Sequence, residues 1–164
     1  MDYHFNMSNL GLRANIRCAV ESLDLEDLGK IVASTETRLA GKNRLQRHIY
    51  WMLPGRNFQY DLATKLLRKR FQSKINDLEN TLLQAGPHLS GADIKNLSKL
   101  KKLYQKELLF DLAGKFIFLS NGHFISAADT EEGLYDIVPE ELREKIAETA
   151  CIDQVGVLLY KNST

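Results

Sequence analysis

The sequence has little cysteine and no long apolar run. Its two cysteines, Cys18 and Cys151, cannot build a disulfide framework, and we expect both to be reduced core residues. Cysteine usage of this kind is typical of a cytoplasmic protein. No stretch approaches the roughly 20 apolar residues of a membrane-spanning helix. The segment from Met1 to Ser8 lacks the basic and apolar parts of a signal peptide, so we expect none.

Motifs for catalysis, metal binding and nucleotide binding are also missing. Neither cysteine lies near the other, and the histidines lack the paired spacing of metal ligands. The histidines are His4, His48, His88 and His123. Gly41-Lys42 and Gly114-Lys115 lack the remaining residues of a phosphate-binding loop. The sequence therefore predicts no catalytic residue, no metal and no cofactor, and leaves open only a site assembled from distant segments.

The longest feature that is present is a pair of helical segments between Phe58 and Gly114. Apolar residues recur at steps of three and four in both segments, which predicts one apolar stripe on each helix. The first stripe is Ala63, Leu67, Phe71, Ile75, Leu78 and Leu82, and the second is Ile94, Leu97, Leu100, Tyr104, Leu108 and Leu112. Gly86 and Pro87 end the first helix, and Ser90 is a good N-cap for the second. We predict a long antiparallel αα-hairpin.

One antiparallel register places five apolar layers of this hairpin face to face. The layers are Ala63 with Leu112, Leu67 with Leu108, Phe71 with Tyr104, Ile75 with Leu100 and Leu78 with Leu97. The same register brings Lys74 opposite Lys101 on the stripe, where two ammonium groups would repel and lose hydration. Either both side chains extend out along one edge of the seam, or they hold a phosphate or a partner's carboxylate between them.

The chain divides into three predicted regions. They are an N-terminal helical region at 1–57, the long helical hairpin at 58–114 and a C-terminal ββααβ unit at 115–164. The N-terminal region is predicted to hold three helices. Ser8 caps the first, Asp24 caps the second, and the third runs from about Asn43 to Met52. The first has its inner face at Leu12, Ile16, Ala19, Val20 and Leu23, and the third has its apolar stripe at Leu45, Ile49 and Met52.

The C-terminal region changes to strand-like patterning. The predicted strands are 115–120, 123–127 and 154–160, and the predicted helices are 129–137 and 139–150. The first strand is apolar on both faces, which suits a central strand, and Asn121-Gly122 is a strong signal for a tight hairpin turn. Asp129 with Glu132 is similar to a capping box. The predicted class is α+β, mainly helical, with a small ββααβ sheet unit.

Charge is unevenly distributed although the net charge is only +1. From Arg38 to Lys74 there are ten basic residues and a single acid, whereas from Asp129 onward there are nine acids and three bases. Such asymmetry suggests a polyanionic partner, or neutralisation of the basic face by the acidic helices within the molecule or in a dimer. The candidate phosphate or nucleic-acid ligands are Arg44, Arg47, Arg56, Lys65, Arg68, Lys69, Arg70, Lys74 and Lys101, and the stacking candidates are Tyr50, Trp51 and Tyr60.

These patterns favour a function in binding over a function in catalysis. We expect a small non-enzymatic regulatory or adaptor protein that binds another protein, or a second copy of itself, through the helical hairpin. Leu83 and Leu89, near the hairpin turn, are the interface candidates. The alternative is a DNA- or RNA-binding regulator that uses the basic Arg38–Lys74 surface. A membrane partner is not expected.

Overall fold

The structure is a computed structural model that describes residues 3–53, 55–138, 140, 143, 146 and 148–158. The class is α+β and mostly helical, as predicted. The chain forms two compact units, Met1–Leu67 and Arg68–Thr164, called unit 1 and unit 2 below. The boundary between them falls inside a single long helix. The division of the sequence into three regions stays a prediction.

Unit 1 is built from helices. They are α1 (Tyr3–Glu21), α2 (Leu25–Ala40), α3 (Arg44–Met52) and the first part of α4 (Arg56–Ala85). Asp24 caps α2 as predicted, because its carboxylate accepts a hydrogen bond from the Asp27 amide at 2.8 Å. Asn43 caps α3 in a capping box with Gln46. The helix α1 starts before Ser8, so the prediction that Ser8 caps it is wrong.

The helix α1 buries less of its apolar stripe than the sequence predicted. Val20 is buried, but Leu12 is 41% exposed and Cys18 is exposed. The expectation that both cysteines lie in the core is therefore wrong for Cys18, whereas Cys151 is half-buried. Helical periodicity defines one face of a helix, but it does not determine how completely other elements cover that face.

Unit 2 contains the helical hairpin. The rest of α4, a 3₁₀ turn at Gly86–His88 and α5 (Gly91–Gln105) form it, and Ser90 caps α5 as predicted. The rings of Phe71 and Tyr104 meet edge to face with their centroids 4.8 Å apart. This contact confirms the middle layer of the predicted register.

The second arm of the hairpin is shorter than predicted. The helix α5 ends at Gln105, and Glu107 takes a left-handed conformation with φ of 56°, which turns the chain out of the helix. Leu108 is 59% exposed, so the predicted buried layer of Leu67 with Leu108 is wrong. Phe110 instead packs its ring against Phe71, with the centroids 4.9 Å apart.

The sheet of unit 2 has three antiparallel strands in the order β2-β1-β3. They are β1 (Phe116–Ser120), β2 (His123–Ala128) and β3 (Ala150–Gln154), and α6 (Glu131–Ile137) follows β2. The strand β1 is central, and Ile117, Phe118 and Leu119 are buried on its two faces, as predicted. Asn121 and Gly122 have φ values of 47° and 80°, which confirms the tight turn between β1 and β2.

Two details of this unit differ from the prediction. The strand β3 ends at Gln154, where the sequence suggested that the last strand begins. Thr130 rather than Asp129 caps α6, because its hydroxyl accepts a hydrogen bond from the Gly133 amide at 3.1 Å. Asp129 instead forms an ion pair with Lys115 at 2.8 Å. Most of the predicted helix 139–150 and the end of the predicted last strand lie outside the described residues.

Candidate functional site

The helix α3 presents its apolar stripe to solvent. Leu45, Ile49 and Met52 are 68%, 54% and 69% exposed, so the apolar stripe predicted on this helix is not covered. The helix is instead anchored by Tyr50, which is only 8% exposed. Contiguous exposed apolar side chains of this size mark interaction surfaces in globular proteins. We call the three residues Leu45, Ile49 and Met52 the α3 face.

Basic residues border the α3 face. Arg44 is exposed in the first turn of α3, and His48 is exposed one turn later. Arg47 is used within the fold, because its Nε donates to the Leu39 carbonyl at 3.1 Å and to the Lys42 carbonyl at 3.0 Å. Of the two arginines predicted to bind phosphate from α3, Arg44 is the one available to a ligand.

Unit 2 carries an acidic surface with exposed apolar side chains on α6. Tyr135 and Ile137 are 49% and 55% exposed. Glu131, Glu132 and Asp136 are exposed on the same short helix. We call these five residues the α6 face. The α6 face is acidic, opposite in charge to the basic residues that border the α3 face, and it also exposes apolar side chains.

An open cleft of about 190 Å³ lies within unit 1. Its lining comes from one side of α2, from α3 and from the first turns of α4, because residues three and four apart share one side of a helix. The lining residues are Ile31, Ser34, Thr35, Arg38, Tyr50, Arg56, Gln59 and Tyr60. The lining therefore offers two arginines, four hydroxyl groups and one amide, and two of the hydroxyl groups belong to aromatic rings.

The three predicted stacking residues form one aromatic cluster in unit 1. The rings of Tyr50 and Trp51 meet edge to face at 5.2 Å, and the rings of Trp51 and Tyr60 lie 5.3 Å apart. The Arg56 guanidinium lies over the Tyr50 ring, 5.0 Å from its centroid. Both tyrosines line the cleft, but the Tyr50 ring is buried and covered by Arg56.

The predicted basic surface is only partly available to a ligand. Arg68 binds the Glu107 carboxylate with both Nε and Nη2, at 2.6 and 3.1 Å. Lys101 forms an ion pair with Glu79 at 2.6 Å. Lys65, Lys69 and Arg70 are exposed on α4, and within the described residues none of the three forms an ion pair.

Lys74 belongs to a buried polar network in unit 2. Its ammonium group is 2.6 Å from the carboxylate of Asp153 and donates to the Val157 carbonyl at 3.0 Å. The Tyr104 hydroxyl donates to the other Asp153 oxygen at 2.7 Å and accepts from the Gly156 amide at 3.0 Å. Lys74 and Asp153 are 2% and 6% exposed, so Lys74 neither extends into solvent nor faces Lys101 around a phosphate.

The two acidic groups of this network respond to burial in the same direction. Burial raises the pKa of Asp153, and the Lys74 ammonium and the Tyr104 hydroxyl oppose that rise. Burial and the neighbouring Asp153 carboxylate raise the pKa of Tyr104 far above its usual range, so Tyr104 stays a neutral donor. The helical pattern indicates that Lys74 lies unfavourably on the apolar stripe, but it does not indicate the partner, because Asp153 lies far along the chain.

The hairpin turn is less apolar than the prediction required. Leu83 is 79% exposed, whereas Leu89 is half-buried.

Within the described part of the chain, no group of three or more His, Cys, Asp or Glu side chains could hold a metal ion. No helix among the described residues combines the length and the apolar character that crossing a membrane requires. The chain matches no protein-family model, no curated protein and no solved structure.

Proposed function

We propose that this protein is a small non-enzymatic regulatory or adaptor protein that acts by protein binding, with the α3 face as its binding surface. The observation that carries the proposal is the exposure of Leu45, Ile49 and Met52 side by side on one helix. Covering such a row removes apolar area from water, which is the main driving force of protein association. The cytoplasmic location inferred from the sequence is part of the same proposal.

The α3 face is a better candidate than the hairpin turn. At the turn, Leu83 is exposed but Leu89 is half-buried, and single exposed leucines are common on protein surfaces. On α3, three large side chains lie in line, and they are bordered by Arg44, which forms no ion pair with any other described residue. We therefore propose the same binding function as the sequence suggests, with α3 in place of the hairpin as the binding surface.

The partner that the charges favour is the α6 face of a second copy. Glu131, Glu132 and Asp136 complement the basic border of the α3 face, and Tyr135 and Ile137 offer apolar area to its centre. Complementary charge raises the association rate and disfavours wrong partners. Stable interfaces bury about 1,200–2,000 Å², which is more than two short helices supply. The proposed self-association is therefore weak and concentration-dependent.

Sedimentation analysis over a wide concentration range tests this proposal. The wild-type chain should shift from monomer to a larger species as concentration rises, and Ile49→Glu should abolish the shift by placing a charge in the apolar row. The matched control is Leu83→Glu, which adds the same charge at the exposed hairpin turn. We expect the Leu83→Glu variant to behave like the wild type.

A charge exchange identifies the partner surface. Arg44→Glu should weaken self-association, and mixing that variant with a Glu131→Lys, Glu132→Lys variant should restore it. A monomer at all concentrations would rule out the second copy as partner. An effect of Leu83→Glu alone would return the binding surface to the hairpin.

Nucleic-acid binding is the second candidate function. It is favoured by the exposed Lys65, Lys69 and Arg70 on α4, which have no acidic partner among the described residues. Replacing all three with alanine should flatten the salt dependence of binding to single-stranded DNA by about one unit per lost phosphate contact. Arg68 is left unchanged because it pairs with Glu107, and Lys30→Ala serves as a control on α2. Loss of DNA binding in the Ile49→Glu variant would contradict a phosphate-based interaction.

A further inference from the structure

The cleft of unit 1 carries two positive charges that no described acidic residue neutralises through a salt bridge. Arg38 and Arg56 both line it, and within the described chain neither guanidinium forms a salt bridge. Arg56 is held in place by its contact with the Tyr50 ring. A guanidinium group is a planar fork of donors that matches phosphate or carboxylate oxygens in pairs. Two such groups at one small cleft point to an anionic ligand.

Two further donors of the cleft have no partner. The Thr35 side chain is a buried polar group, 7% exposed, and makes no hydrogen bond with any other described residue. The Gln59 amide is likewise unpartnered among the described residues. By contrast, the Ser34 hydroxyl donates to the Ile31 carbonyl at 3.2 Å. The Thr35 hydroxyl is therefore available to donate to a group bound in the cleft.

An acid lies close to the cleft but does not cancel its charge. Glu36 is exposed and accepts a hydrogen bond from the Tyr60 hydroxyl at 3.1 Å. That bond helps to fix the Tyr60 ring at the edge of the cleft. One carboxylate against the two guanidinium groups of Arg38 and Arg56 leaves the site with excess positive charge.

The size of the cleft suits one ring with one anionic group. A cavity of about 150 Å³ holds a benzene molecule, whereas drug-sized ligands occupy about 300–1,000 Å³. The cleft, at about 190 Å³, lies just above the lower value. Ile31 and the Tyr60 ring give the ring an apolar wall. Together with Thr35 and Gln59, the N–H groups of Arg38 and Arg56 outnumber the roughly four lone pairs of a carboxylate and suit the three terminal oxygens of a phosphate.

We propose that this cleft binds an aromatic phosphomonoester, with Arg38, Arg56 and Thr35 on the phosphate and Tyr60 against the ring. The same chemistry is present in a free aryl phosphate and in a phosphotyrosine side chain of a partner protein. The site is distinct from the α3 face, so it does not depend on the proposed self-association.

Titration of the full-length protein with phenyl phosphate, followed by NMR, tests the site. Saturable shifts are expected at residues 31–38 and 56–60 with a Kd of about 1 mM or tighter. Phenol and inorganic phosphate should each bind at least about tenfold more weakly, because each lacks one half of the ligand. Ile49→Glu should leave phenyl phosphate binding unchanged, which separates this test from the test of the α3 face.

Substitutions in the cleft give the sharper readout. Arg38→Gln should weaken phenyl phosphate binding by about tenfold or more, and Thr35→Val should weaken it while preserving side-chain shape. Arg44→Gln is the matched control, an exposed arginine that does not line the cleft. Thermal unfolding of each variant checks that it is folded.

Three outcomes would overturn the proposal. They are the absence of saturable shifts, equal affinity for inorganic phosphate, and an equal effect of Arg44→Gln and Arg38→Gln. A phosphotyrosine peptide provides the last comparison. Tighter binding of the peptide than of phenyl phosphate supports a protein source, and binding of phenyl phosphate alone supports a free small molecule.

Discussion

Lys74 and Asp153 form a buried ion pair in the interior of unit 2. Each is almost completely buried, and Tyr104 and two backbone groups satisfy the remaining hydrogen-bonding capacity. A buried ion pair is expensive to assemble because both charges lose their hydration. Its contribution is therefore best understood from what happens when one partner is removed.

Asp153→Leu is expected to destabilise the protein strongly. The substitution leaves the Lys74 ammonium buried without a counter-ion, which costs about 3–5 kcal/mol in comparable pairs. The double variant Lys74→Met, Asp153→Leu should recover most of that loss, since two apolar side chains replace both charges. Urea unfolding of the single and double variants measures the coupling. A double variant that is no more stable than Asp153→Leu would show that the destabilisation comes from packing rather than from charge.

At the scale of elements, Asn96 connects α5 to both ends of the sheet unit. Its side chain is fully buried. The amide nitrogen donates to the Thr149 carbonyl at 2.7 Å, just before β3, and the oxygen accepts from the Gly122 amide at 2.6 Å, in the β1–β2 turn. One side chain thus fixes the hairpin helix against two separate loops of unit 2.

Asn96→Ala is expected to lower the free energy of unfolding by several kcal/mol. Each buried backbone group left without a partner costs about 1–3 kcal/mol, and this substitution removes the partner of both the Thr149 carbonyl and the Gly122 amide. Asn76→Ala is the control, because Asn76 is exposed and accepts a hydrogen bond from Gln72 on the surface of α4. Chemical denaturation should separate the two variants clearly. Similar stabilities would mean that water replaces the Asn96 contacts.

The elements that the sequence predicted well are those encoded by local chemistry. Asn121-Gly122 requires left-handed backbone, and Asp24 and Ser90 cap the helices that follow them, as predicted. The end of α5 was missed because Glu107, which leaves the helix with positive φ, is neither glycine nor proline. Local rules do not mark such an ending.

The candidate sites were harder to predict than the elements. Periodicity identified Leu45, Ile49 and Met52 as one face of α3, but burial depends on what covers that face. Arg56 and Tyr60 were candidates for phosphate binding and stacking, and the structure places both at one cleft. Thr35 carried no signal in the sequence, because a threonine on a helix becomes informative only when its burial is known.

At the scale of the whole molecule, the pH dependence of stability should carry a contribution from Asp153. Its pKa is raised by burial from an ordinary value of 3.8, so the folded state binds the proton more tightly than the unfolded state. The contribution of this group to stability should therefore fall as pH rises from about 3.8 through the raised pKa, and then remain constant.

Comparison with Asp153→Asn isolates this contribution, because asparagine resembles the protonated carboxyl and does not titrate. The difference in stability between the wild type and the Asp153→Asn variant should decrease as pH rises from about 3.8 through the raised pKa of Asp153. Thermal unfolding at a series of pH values measures the difference. An increase with pH would mean that Lys74 and Tyr104 outweigh burial and hold the pKa below its ordinary value.

The long separation in sequence between Lys74 and its partners has a consequence during synthesis of the chain. Lys74 pairs with Asp153 in β3 and donates to a carbonyl 83 residues later, so the helical hairpin is made well before the counter-ion of its buried lysine. At about 5–20 residues per second, the ribosome takes roughly 4–16 s to supply that segment. Throughout this interval a dry seam would bury an unpaired ammonium group, so the nascent hairpin has to stay open and hydrated around Lys74. Closure of unit 2 is thereby delayed until β3 has been made.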